Sequence, residues 1–154
     1  MERGISVISR LFAASLTLSL AFCWTPVGAE QQVVLVVGEN SPIENLSLLE
    51  CRKAYFGIVV RHDIQIIRPF RNSSDPQLSE IFLQSVVAMS KRSYERRLIS
   101  LTLKSGRPRP EEFTDQDDLV RALRKYPYGI SYMWRSDAER SAGIKVIKLL
   151  WQEN

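Results

Sequence analysis

The sequence predicts an α/β domain, with a small, mostly parallel or mixed sheet flanked by helices. Three observations point there. Val33–Val37 is an unbroken apolar run rich in β-branched residues, the pattern of a strand buried on both faces. Short apolar runs alternate with helical patterns along the remainder of the chain. Capping residues, glycines and prolines punctuate those patterns where helices must start and stop.

Each element follows in turn. Gly38–Pro42 (Gly-Glu-Asn-Ser-Pro) is a loop after the first strand. Ser47-Leu48-Leu49-Glu50 reads as a capping box: the Ser47 hydroxyl accepts from the Glu50 N–H, and the Glu50 side chain reaches back. Leu48, Leu49, Ala54, Tyr55 and Phe56 give that helix its apolar surface, and Gly57 ends it. Ile64–Ile67 predicts a second strand, running into a polar turn at Arg71–Pro76. A helix is expected from about Pro76 to Met89, capped by Ser74 or Asp75, and another from about Ser93 to Leu103. Lys104–Pro110 holds two prolines and a glycine and breaks the pattern. Thr114–Asp118 opens a further helix, whose acids suit the positive end of its dipole. Leu119, Val120 and Leu123 form its buried side, and Pro127 closes it. Gly129–Met133 predicts a short strand, and Ile144–Leu149 an edge strand with Lys145 and Lys148 exposed.

The first thirty residues carry a different signal. Arg3 and Arg10 form a positive n-region, Leu11–Trp24 is mostly apolar, and Val27-Gly28-Ala29 supplies small residues for cleavage. This reads as a secretory signal peptide cut after Ala29, leaving residues 30–154 as one exported, periplasmic domain. The apolar core falls short of the roughly 20 residues of a membrane span. Cys23 follows a short apolar stretch, as in a lipoprotein, but bulky Phe22 sits where a small residue is wanted. The full chain carries a net charge of +4, which favours anionic partners weakly, and export argues against nucleic acid. Only Cys51 survives cleavage; it is expected to be a buried inert thiol, the alternative being an exposed thiol that pairs between chains.

Enzymatic chemistry finds little support. His62 is the only histidine and sits in a polar connection, Arg61-His62-Asp63, with no converging nucleophile or acid in its spacing. Asp115, Asp117 and Asp118 lack the further ligands of a calcium loop, and there is no Cys/His cluster or glycine-rich nucleotide loop. No metal or cofactor is expected. Lys91, Arg92, Arg96 and Arg97, continued by Lys104, Arg107 and Arg109, form a basic stretch; it is either a solvated face or a contact for anionic lipid or an acidic partner. Tyr126, Tyr128, Tyr132 and Trp134 fit core and rim packing, or a pocket or interface.

The strand–turn–helix around residue 71 is the candidate binding site. Helix starts offer unpaired N–H groups and the positive end of a dipole. Arg71 adds a fork of charged donors, and Ser73 and Ser74 add hydroxyls. Asn40 and Ser41, after the first strand, are candidate contributors. The competing reading is a helix start that is merely capped.

The order of these segments carries a resemblance. Leu49–Gly57 (Leu-Glu-Cys-Arg-Lys-Ala-Tyr-Phe-Gly), the strand ending at Arg68-Pro69, the polar turn, Tyr94–Pro110 and Tyr126–Tyr132 (Tyr-Pro-Tyr-Gly-Ile-Ser-Tyr) follow one another. Together they resemble the phosphate-binding proteins of ABC transporters, in the type 2 periplasmic binding protein superfamily, and especially its short exported members. The resemblance covers roughly Val33–Leu149. It implies one lobe of that fold, a phosphate or other small oxyanion as ligand, and a membrane transporter or sensor as partner. Relatives of this kind carry Arg-x-Asp-Gly-Ser-Gly-Thr at the helix start. Here Arg71 matches the arginine, but the Ser-Gly-Thr positions fall on Pro76, Gln77 and Leu78, which removes an N–H and a hydroxyl. One lobe leaves a bound ion half exposed, so a homodimer or another protein would supply the second wall. The alternative is an interaction or sensory accessory module that keeps the fold without binding solute, using the aromatic segment or the basic helix as its surface.

Overall fold

The computed structural model describes Gln31–Glu153. The signal-peptide reading, the cut after Ala29 and Cys23 lie outside the described residues. Five strands form one mixed sheet in the order β5-β4-β6-β1-β7, built from β1 (Gln32–Gly38), β4 (Arg68–Asn72), β5 (Glu111–Phe113), β6 (Gly129–Trp134) and β7 (Ile144–Gln152). β4 pairs parallel with β5 and β6, while β1 runs antiparallel to β6 and β7. Four strands therefore share one direction and β1 opposes them. The helices are α1 (Leu48–Tyr55), α2 (Pro76–Phe82), α3 (Lys91–Ser105), α4 (Gln116–Lys125) and α5 (Arg135–Arg140). Among the described residues no helix is long and apolar enough to cross a membrane.

The apolar run behaves as its composition requires. Val33, Val34, Leu35, Val36 and Val37 are all fully buried, because β1 has a neighbour on each edge and helices over its faces. Gly38 ends the strand where α4 passes overhead. A Cβ there would stand 2.4 Å from the Leu123 carbonyl oxygen, so only glycine allows this approach. The Ser47–Glu50 capping box forms as expected, with Ser47 N–H donating to Glu50 Oε2 at 2.9 Å and Glu50 N–H donating to Ser47 Oγ at 3.2 Å. The Ser47 hydroxyl bonds hold the Glu50 carboxyl below its usual range. Asp75 caps α2, with Pro76 as the first helical residue. α2 then passes into a π-helical turn, Leu83–Val87, which ends at Ala88 in the left-handed region at φ 59°.

Four local expectations are corrected. Ile64–Ile67 holds only a two-residue strand and does not join the five-stranded sheet. A two-residue hairpin, β2 (Arg61–His62) with β3 (Gln65–Ile66), projects there, turning at Asp63 with φ 53°. Ile64 is 82% exposed. The sheet strand begins at Arg68, so Arg71 and Asn72 belong to β4 and not to a turn. His62 is half-buried within the hairpin rather than in an exposed connection. β7 is the expected edge strand and longer, but Lys145 and Lys148 are partly buried, and Lys145 Nζ donates to the Ser41 carbonyl at 2.8 Å. β5 and α5 had no signal in the apolar pattern.

One aromatic cluster joins the layers. The rings of Phe82 and Tyr132 stack with centroids 3.6 Å apart, and Tyr55 meets both edge-on. Tyr55 OH donates to the Phe70 carbonyl at 3.0 Å, and Tyr94 OH to the Tyr55 carbonyl at 2.7 Å. The segment from Tyr126 to Trp134 thus serves the core and its rim, with Tyr132 fully inside. Cys51 is buried, and burial pushes its thiol up to about 12, as the inert-thiol reading expects. All of these elements lie within residues 31–154, and they pack around one hydrophobic core. That segment, produced alone, is expected to unfold in one cooperative transition by circular dichroism. Leu35→Ala should lower its stability by about 2–5 kcal/mol in urea titration.

Candidate functional site

The parallel strands set the site. In open α/β sheets ligands bind outside the carboxyl ends of the strands. Here β4, β5 and β6 end together, and their last residues are Asn72, Phe113 and Trp134. Arg71 lies opposite Glu112 in the β4–β5 register, which puts the two side chains beside each other. α3 crosses above and brings Glu95 down. The Arg71 guanidinium is ion-paired to both carboxylates, Nη1 to Glu95 and Nη2 to Glu112, with its side chain 13% exposed. Burial works against its charge, but the Glu95 bond and the Glu112 charge outweigh it, and its pKa moves up. Arg71 Nε is the one buried side-chain polar atom without a hydrogen-bond partner among the described residues.

The neighbouring donors are also engaged. Ser74 Oγ donates to Asn72 Oδ1 at 2.7 Å, and Ser73 Oγ to the Phe113 carbonyl at 3.2 Å. Asn72 is fully buried, and its Nδ2 donates to the Tyr132 carbonyl at 3.0 Å. Tyr132 OH and Ser79 Oγ both donate to the Asn72 carbonyl, at 2.9 and 2.7 Å. Burial pushes the Tyr132 phenol up to about 12 and raises Tyr94, so both stay neutral donors. At the start of α2, Asp75 Oδ1 accepts from Gln77 N–H at 2.8 Å and Leu78 N–H at 3.3 Å, while Trp134 Nε1 donates to Oδ2 at 2.8 Å. The Trp134 bond leads in holding the Asp75 carboxyl below its usual range. A cavity of about 30 Å³ lies between Arg71, Tyr94 and Tyr132. A wider cleft of about 410 Å³ borders it at Ser73, Ser79, Leu83 and Lys91.

The structure therefore brings Arg71, Ser73 and Ser74 together but leaves Asn40 and Ser41 out. β1 opposes β4, so its carboxyl end lies at the other end of the sheet. Asn40 is exposed there, and Ser41 is buried with its hydroxyl oxygen accepting from Ile43 N–H at 3.2 Å. The sequence reading missed Asn72, Glu95 and Glu112. Glu95 did carry a signal, as the only acid in the basic stretch of α3. Among the described residues no cluster of histidine, cysteine or acids could hold a metal.

No family model and no curated protein matches the chain. Solved structures do match its fold. An ABC-type phosphate transport receptor from Vibrio cholerae superposes with a TM-score of 0.54 at 12% identity, covering 78% of this chain and 46% of that one. PstS from Borrelia burgdorferi gives 0.54 at 15% identity, over 78% and 47%. The chain thus spans under half the length of these structures, and at such identities the likeness is one of fold. The expected architecture, a single α/β lobe of this kind, stands.

Asp75→Ala removes the α2 cap and the acceptor for Trp134, at an expected cost of about 1–2 kcal/mol. The Asp75 pKa is lowered on folding, so its contribution is full above the usual carboxylate pKa and fades as pH falls through the depressed value. Denaturation of wild type and variant at neutral and acid pH should show the gap narrowing in acid.

Proposed function

We propose that this chain is an exported solute-binding-type module of the phosphate-transport kind, working with a membrane transporter or sensor in the periplasm. Its cradle for a small oxyanion is Arg71, Ser73 and Ser74, at the carboxyl ends of β4, β5 and β6 (Arg71 in β4, the serines just beyond it). The observation that carries this is Arg71 itself: a largely buried guanidinium at the strand-end crevice, its Nε–H unpartnered, beside a cavity and a wider cleft. Likeness of fold to phosphate transport receptors supports the choice of ligand class. The cradle is self-occupied, because Glu95 and Glu112 already neutralise the guanidinium. An oxyanion enters only by displacing one of these carboxylates, and with a single lobe a second copy or another protein supplies the outer wall. The proposed chemistry is reversible capture and not catalysis.

One observation favours a second reading. Both η nitrogens, both serine hydroxyls and the first N–H groups of α2 have acceptors inside the chain. A cradle permanently closed in this way makes the chain an accessory module that keeps the fold and acts through protein contact.

Thermal unfolding against phosphate and sulfate at constant ionic strength separates the two. Under the first reading one anion raises the melting temperature selectively. Saturation at 100 times the dissociation constant corresponds to about 2.7 kcal/mol, or several degrees for a domain of this size. Glu112→Gln should enlarge the shift by freeing the guanidinium, and Arg71→Ala should abolish it. No shift in wild type or in Glu112→Gln leaves the accessory reading.

A further inference from the structure

The end of the sheet opposite the crevice is built differently. There β4, β5, β6 and β7 begin, α3 and α4 finish, and the β2–β3 hairpin projects. Arg107 Nη1 donates to the Gly57 carbonyl at 3.5 Å, and a Cβ on Gly57 would stand 3.7 Å from Leu101 Cδ1. The close of α3 therefore lies on the chain that leads into the hairpin. Large aliphatic side chains point outward at this end. Ile64 at the hairpin tip and Leu103 in the last turn of α3 are each 82% exposed, with Ile58 and Ile66 about half exposed beside them. Neither residue contributes to the core, so their apolar character is not required by folding.

Charge divides the molecule along the same axis. Arg61, Lys104, Arg107, Arg124 and Lys125 stand at the hairpin end, and none of them is ion-paired to a carboxylate. Arg124 and Lys125, with Asn40 and Glu39, line an open groove of about 540 Å³. The acids of this end include Glu39, Asp63, Glu50 near the hairpin's His62, and Glu111, which is tied to Arg68. At the crevice end Asp75, Glu112, Asp115, Asp117 and Asp118 gather around the strand ends and the start of α4. Arg71, Lys91, Arg92 and Arg135 are cations there, and Arg71 is already neutralised by Glu95 and Glu112.

A basic surface with protruding aliphatic side chains complements an anionic lipid layer. Cations gain from the negative surface potential, and isolated aliphatic tips enter the headgroup region. We propose that this end of the domain docks on an anionic lipid surface, with Ile64 and Leu103 entering the headgroup layer and the crevice facing away. An acidic protein would meet the cations in the groove, but Ile64 and Leu103 stand outside that groove and gain nothing from its charge. Docking in this orientation leaves Arg71 and its cleft open to solvent or to a partner, whatever the crevice holds.

Vesicle sedimentation of residues 31–154 tests it, using phosphatidylcholine vesicles with and without phosphatidylglycerol. Binding is expected only with phosphatidylglycerol, and it should weaken as salt is raised. Arg107→Gln and Arg124→Gln should each weaken it by about fivefold, and Ile64→Ser with Leu103→Ser by more than that. These positions are exposed, and an unchanged circular dichroism melt confirms the fold in each variant. Lys91→Gln with Arg92→Gln, at the crevice end, should leave binding unchanged. Absence of binding, equal binding to both vesicle types, or equal loss from the crevice-end variant would overturn the proposal. Retention on immobilised polyglutamate without vesicle binding would also overturn it, in favour of an acidic protein partner.

Discussion

Everything in this domain hangs on β1. Among the described residues it is the one strand of the five-stranded sheet that runs against the others, and it has a paired neighbour on each edge. Its five consecutive apolar residues have no access to solvent. Burial of such a run stabilises by roughly 1.5–3 kcal/mol per side chain. Its backbone must then be fully hydrogen-bonded, because unpaired peptide groups in that position would cost several kcal/mol. Both edges are accordingly used. The direction of β1 also decides the geography of the molecule. By opposing β4 and β6 it sends the Gly38–Pro42 loop to one end and leaves the other to Asn72, Ser73 and Trp134.

How legible this was depended on the range of the forces involved. β1, the capping box at Ser47 and the Pro76 helix start are set by neighbours within a few residues, and they read directly from the sequence. The Ile64–Ile67 run did not, because apolar character alone does not distinguish a buried strand from an exposed hairpin. The strand that forms instead, Arg68–Asn72, has a proline and two arginines. It is tolerated in the sheet because Arg68 lies at its start and Arg71 finds carboxylates. β5 is a short, charged edge strand, and its sequence carries no periodicity to detect.

The site shows the same division. Arg71, Ser73 and Ser74 are adjacent in sequence and announced themselves as donors. Their acceptors did not, because they come from far along the chain: Glu95 is 24 residues away and Glu112 is 41. A local reading of a binding turn therefore counts donors and misses what already occupies them. Asn72 is the sharper case. A buried asparagine in a strand carries no signal in sequence, yet its side chain ties β4 to β6 and fixes Ser74.

The pairing of Trp134 has an optical consequence. Its indole N–H rests on the Asp75 carboxylate, and Trp151 lies across Val33 from it in the sheet. Both tryptophans of the described chain thus sit at the crevice end, one of them bonded to the residue that caps α2. Their emission colour and polarisation are set by that end, so the domain carries its own fluorophores where a rearrangement of the crevice would be felt.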